Sequence, residues 1–122
     1  MDQPYPAWAD RAAIDERVAS VPQAALGYDD CEARYLYERR PLTGYTATQY
    51  PDGSLHSLAR LTDGIEHGLT VVWYPDGQMK LFAETARAVY HGIVAEWALS
   101  GELIHVTRYD EGLEIKSHRD SR

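Results

Sequence analysis

Five histidines, His56, His67, His91, His105 and His118, are the side chains of this chain best suited to hold a metal or move a proton. His67 and His91 each precede a glycine and stand 24 residues apart. If that spacing spans two strands, the rings are separated by roughly 10 Å across a sheet. A zinc ion holds its nitrogen ligands at about 2.0–2.1 Å, so the two cannot share one ion unaided. Asp52 and Asp76 recur at the same spacing, but each stands in Pro-Asp-Gly, where aspartate serves the turn. A catalytic carboxylate pair needs its groups about 5–9.5 Å apart. Cys31 is the single cysteine, which rules out an internal disulfide and a cysteine-rich metal site, and no activating base stands near it in sequence. No phosphate-cradling glycine loop, G-x-S-x-G or H-E-x-x-H occurs. The expectation is a chain with no catalytic residue, no metal and no cofactor.

What positions these residues is an internal repeat. Gly44, Gly68 and Gly92 open three units of 24 residues each, ending at His67, His91 and Ile115. Tyr50-Pro51-Asp52-Gly53 aligns with Tyr74-Pro75-Asp76-Gly77 and with Ala98-Leu99-Ser100-Gly101. Leu55, Met79 and Leu103 follow these turns by two residues, and His67-Gly68 aligns with His91-Gly92. Gly64 aligns with Gly112, whereas the middle unit has Ala88 there. Cys31 to Gly44 reads as the second half of a further unit.

Each unit predicts two short strands and two turns. Proline presets φ, aspartate caps its own backbone and glycine accepts a positive φ. Alternation places Tyr45, Ala47 and Gln49, then Leu69, Val71 and Trp73, then Ile93, Ala95 and Trp97 on one face, the expected buried one. On the return strands the same alternation groups Leu55, Ala59 and Leu61, then Met79, Leu81 and Ala83, then Leu103, His105 and Tyr109. The opposite side takes Phe82, Ile104 and Val106, with Arg60, Glu84 and Arg108 forming a row of alternating charge. The fold class is therefore mainly β: an antiparallel meander of roughly seven strands built from stacked hairpins, with one short N-terminal helix. That helix is read over Ala7 to Ser20, between Pro6 and Pro22, as a cap on the sheet. The domain reading is a helical cap over 1–26, a hairpin array over 27–116 and a polar tail over 117–122.

Hairpins carrying Y-x-D/N-G-x-L/M, a variable strand, a turn and then H-G resemble MORN repeats, most closely the variant repeats of bacterial YwqK-like antitoxins. His67 through Lys80 carries the likeness most clearly, and the resemblance spans roughly residues 31 to 115. The third unit departs from it in lacking Tyr-Pro-Asp. The resemblance implies an immunity protein that neutralises a cognate bacterial toxin by covering its active site. The alternative it allows is a protein-binding or lipid-associated scaffold.

Composition fits a binding role. Of 122 residues, 44% are hydrophobic and 25% charged, so a core can form. Nine tyrosines and three tryptophans against one phenylalanine suit half-buried sheets and interfaces. The formal charge of -7 disfavours direct contact with nucleic acid or an anionic membrane and suits a basic partner, such as a toxin's active-site cleft. The opening residues lack a secretory signal pattern and no apolar run spans a bilayer, so the expected compartment is the cytoplasm. The partner-binding candidates are Tyr50, Tyr74, Phe82, Glu84 and Glu96 on the sheet. To these are added the acidic ends, Asp29 and Asp30 at one and Asp110 and Glu111 at the other.

Overall fold

The computed structural model describes Arg11 and residues 20–115. The expected helix over 7–20 lies outside the described residues except at Arg11 and Ser20. At Ser20 the expectation is corrected, because this residue opens a strand. The helical segment with described bounds is the 3-10 turn Gln23–Ala25, placed between β1 (Ser20–Pro22) and β2 (Leu26–Asp29). Pro22, its φ fixed by the ring at -58°, precedes it with an extended ψ of 135°, and Leu26 returns to β geometry after it.

Three hairpins follow the repeat. They comprise β5 (Gly44–Gln49) with β6 (Leu55–Thr62), β7 (Ile65–Trp73) with β8 (Met79–Ala86), and β9 (Val89–Trp97) with β10 (Leu103–Asp110). A short β11 (Leu113–Ile115) pairs with the end of β10. The eight-stranded sheet runs β1-β5-β6-β7-β8-β9-β10-β11, antiparallel throughout except that β1 pairs parallel with β5.

The half-unit over 31–44 does not extend this sheet. It forms β3 (Arg34–Tyr37) and β4 (Arg40–Pro41), which join β2 in a separate three-stranded sheet. The edge of β5 that the half-unit would have used is taken by β1, and Thr46 Oγ fixes that pairing by donating to Val21 O at 2.8 Å. Its last residues still obey the repeat. Gly64 N–H donates to Leu42 O, Ala88 N–H to Glu66 O and Gly112 N–H to Tyr90 O, at 2.7–2.8 Å. Donors and acceptors alike step by one unit.

The two kinds of turn follow from their residues. In each Pro-Asp-Gly turn the glycine N–H donates back to Tyr50 O or Tyr74 O, with φ of 90° at Gly53 and 96° at Gly77. Ala98 and Gly101 repeat the pattern in the third unit. The second turns are two-residue loops with both φ positive: Asp63-Gly64, Arg87-Ala88 and Glu111-Gly112. That geometry matches the right-handed twist of the strands it joins.

One expectation about the faces is corrected. Gln49 pairs with Leu55 while Thr48 pairs with Ser57, so His56 is an extra residue opposite a shorter partner strand. The same bulge recurs in β8 after Met79 and in β10 after Leu103. Simple alternation counts across this residue and assigns the wrong side. Leu55 therefore shares a face with Leu58 and Ala47, and Met79 with Phe82 and Val71. Trp73, Trp97 and Ala95 complete this core, in which Trp73, Val71 and Ala95 are fully buried. Arg60, Glu84 and Arg108 lie on the same face, at the level of Tyr45, Leu69 and Ile93. The opposite face carries smaller side chains, Thr46, Ala83, Val94 and Thr107, also buried.

Candidate functional site

The tyrosines after the strands are braces between units. Tyr50 Oη donates to Trp73 O at 2.6 Å, and Tyr74 Oη donates to Trp97 O at 2.8 Å. Each ring thus reaches from one turn to the end of the next unit's first strand. This role holds both tyrosines half-buried. The ring of Tyr74 also carries Lys80 Nζ over its face, 5.6 Å from the centroid.

Phe82 belongs to the core and is buried, so it offers no area to a partner. Glu84 is committed to the sheet: its Oε1 accepts from Ile93 N–H at 2.8 Å. A side chain at Gly92 would collide with that carboxylate, and one at Gly68 would meet Arg60 Cγ at 2.9 Å. These two glycines, with φ of 114° at Gly92 and 127° at Gly68, leave room for the charged side chains lying over them.

The remaining candidates are carboxylates. Glu96 is exposed on the small-residue face, between Leu81 and His105 on its neighbouring strands. Asp29 caps its own turn, accepting from Cys31 N–H at 2.9 Å and Glu32 N–H at 3.2 Å, with Asp30 exposed beside it. Asp110 and Glu111 close the β10–β11 hairpin, where Glu111 N–H donates to His91 Nδ1 at 3.1 Å and Asp110 Oδ1 lies 3.6 Å from it. The structure therefore places Glu96, Asp110 and Glu111 among the last strands of the large sheet but apart, with Glu96 opposite His105 on the small-residue face and the other two at the β10–β11 turn. Asp29 and Asp30 belong to the small sheet.

The other chemistry-bearing residues are held in local structure. Asp52 is kept below the ordinary carboxylate value by the Ser54 hydroxyl at 2.6 Å and then by Ser54 N–H. Asp76 is lowered by Gln78 N–H and then by its side-chain amide. The amide of Gln78 also donates to Leu99 O at 3.0 Å, tying one turn to the next. Arg11 Nη1 donates to Leu55 O, Tyr74 O and Pro75 O, joining the first two turns. His67 and Cys31 are exposed, and His105 Nε2 bonds Thr107 Oγ. Among the described residues no three His, Cys, Asp or Glu side chains gather as a metal ion would need, and no helix is long and apolar enough to cross a membrane.

A groove of about 290 Å³ separates the small sheet from the small-residue face. Leu26 and Tyr35 form one wall, and Ser57, Leu61 and Glu66 stand on the other. His56 closes one end and shares Thr48 Oγ with Ser57 Oγ.

Sequence reasoning passed over the most exposed apolar surface. Leu103, Ile104 and Val106 on β10, with Leu113 and Ile115 on β11, all face solvent. Leu103 is 46% exposed, whereas its counterparts Leu55 and Met79 are each 6% exposed. Val106 is 37% exposed, against 1% for Leu58 and 4% for Phe82. The signal was present in the sequence: apolar core positions recur in a third unit whose following residues, Lys116–Arg122, are all polar. Exposed carboxylates stand at both ends of this strip, Glu102 in the β9–β10 turn and Asp110 and Glu111 at the β10–β11 turn, while Glu96 and Glu114 lie on the small-residue face. No family model, curated protein or solved structure matches this chain.

Proposed function

We propose that the chain binds another protein of basic surface through the β9–β11 end of its sheet. Following the MORN-like resemblance, we take that partner to be a bacterial toxin whose active site the chain covers. The observation that carries this reading is the apolar strip of β10 and β11 with the exposed carboxylates Glu102, Asp110 and Glu111 at its two ends. An apolar centre with a charged rim is the usual anatomy of a protein interface. The carboxylates would speed encounter with a basic cleft and set its orientation, while the apolar strip would supply most of the affinity. The lipid-scaffold alternative has less support, because anionic headgroups repel carboxylates and attract Lys and Arg clusters.

The experiment is rescue of growth during expression of the toxin encoded by the adjacent gene, together with binding of the two purified proteins. The expected result is rescue and a stable complex whose association slows as salt is raised. The triple variant Glu102→Lys, Asp110→Lys, Glu111→Lys should lose rescue while still folding. No rescue by the unaltered chain would overturn the reading.

A further inference from the structure

We infer that the outer edge of β10 between Leu103 and Thr107 accepts an extended strand from the partner protein, continuing the sheet. This deepens the function proposed above and rests on it for the partner's identity.

Among the described residues the repeat itself leaves one place unfilled. In the first unit β6 is flanked on both sides, by β5 and β7, and in the second β8 is flanked by β7 and β9. In the third, β11 pairs only with Arg108–Asp110, and no described strand pairs with that side of residues 103–107. An open edge of this kind is a template for strand pairing, and natural sheets blunt it with Lys, Pro or inward charge. Residues 103–107, Leu-Ile-His-Val-Thr, carry none of these. The core positions beside the edge, Leu103 and Val106, are the ones that stay uncovered.

The repeat also defines the occupant. Leu58, the counterpart of Val106, pairs with Val71 of β7, and Ser57 pairs with Val72. The fitting strand runs antiparallel to β10. It places an aliphatic side chain opposite Val106 and an aromatic one two residues later, as Val71 and Trp73 do. Lys116–Arg122 lie outside the described residues, and their sequence cannot supply this. The counterparts of Leu69, Val71 and Trp73 there are Ser117, Arg119 and Ser121. Nor does a second copy offer the pattern, since β5, β7 and β9, which carry it, are each paired on both sides. A partner's strand with alternate apolar residues meets the requirement, with main-chain hydrogen bonds giving affinity and the Leu103–Val106 surface giving register.

The test uses the intact chain and a fluorescent peptide of the sequence His67–Tyr74, HGLTVVWY, flanked by lysines. We expect saturable binding, weakened about tenfold or more by Val106→Asp and by Ile104→Lys. Two further peptides, N-methylated on alternate amides, report on geometry without any variant of the chain. Methylation of the amides pointing at β10 should abolish binding, and methylation of the outward set should leave it. No binding, or equal binding of both methylated peptides, overturns the inference. So does binding that appears only when residues 116–122 are deleted, which gives the edge to the chain's own tail. A stable dimer that excludes the peptide gives it to a second copy and equally overturns the inference. Because no toxin is used, failure here leaves the rescue experiment standing, and failure of rescue leaves this one standing.

Discussion

Ala88 sits where the other two units have glycine, with φ of 71°, while its neighbour Arg87 has φ of 53°. A left-handed backbone costs a non-glycine residue about 1–2 kcal/mol. Ala88→Gly should therefore raise stability, by about 1 kcal/mol after glycine's entropy is set against it, as read from a denaturant midpoint. The reverse change at Gly64 is far costlier. Its Cβ would collide with Tyr35 O, and Tyr35 N–H already donates to Gly64 O at 2.7 Å. Gly64→Ala should cost roughly 3 kcal/mol, adding overpacking to the left-handed cost, and should loosen the small sheet first. Acid should act through the turns. The hydrogen bonds from Ser54 and Gln78 hold the Asp52 and Asp76 carboxyls below their ordinary pKa, so their contribution to stability is present above the ordinary value and is lost as pH falls through the lowered one. The double variant Asp52→Asn, Asp76→Asn should flatten the acid limb of a stability–pH curve, measured by thermal unfolding.

At the scale of the element, the hairpins owe their order to contacts that cross from one unit to the next. Tyr74→Phe removes the donor to Trp97 O and should lower stability by about 1 kcal/mol without changing partner affinity; Tyr50→Phe should do the same through Trp73 O. Equal loss of affinity and stability would return the tyrosines to the interface. The turns and the repeat were legible because proline, aspartate and glycine act on their own backbone. The tyrosine brace was not, because a bond to a distant carbonyl leaves no local pattern. Its one trace is Ala98, which replaces tyrosine in the third unit. The faces of β6, β8 and β10 were misread for a related reason. One bulged residue, such as His56, shifts the count by one, and pairing alone reveals it. Phe82 and Val106 were assigned away from the core face by that single step. The small sheet was hidden too, since the half-unit ending at Gly44 looks like its successors until β1 takes its edge.

The eight-stranded sheet is a row of modules whose burial declines toward β10 and β11. In such arrays stability is close to a sum of neighbour terms, so the least covered end opens first. Amide hydrogen exchange should therefore be fastest in β10 and β11, intermediate in β9 and slowest in β6 to β8. Binding of a strand along Leu103–Thr107 should slow exchange in β10 selectively.

The forward reach of the tyrosines also fixes how this chain can change length. Each hydroxyl bonds the tryptophan carbonyl 23 residues ahead, and that tryptophan stands at the same place in the second and third modules. Excising residues 68–91 would present Trp97 O to Tyr50 in place of Trp73 O, and Gly92 would follow His67 as Gly68 does now. A shortened chain of this kind should still fold cooperatively by circular dichroism, whereas removing one residue fewer should not. Growth or loss by whole modules is thus tolerated by the same bond that forbids any fractional step.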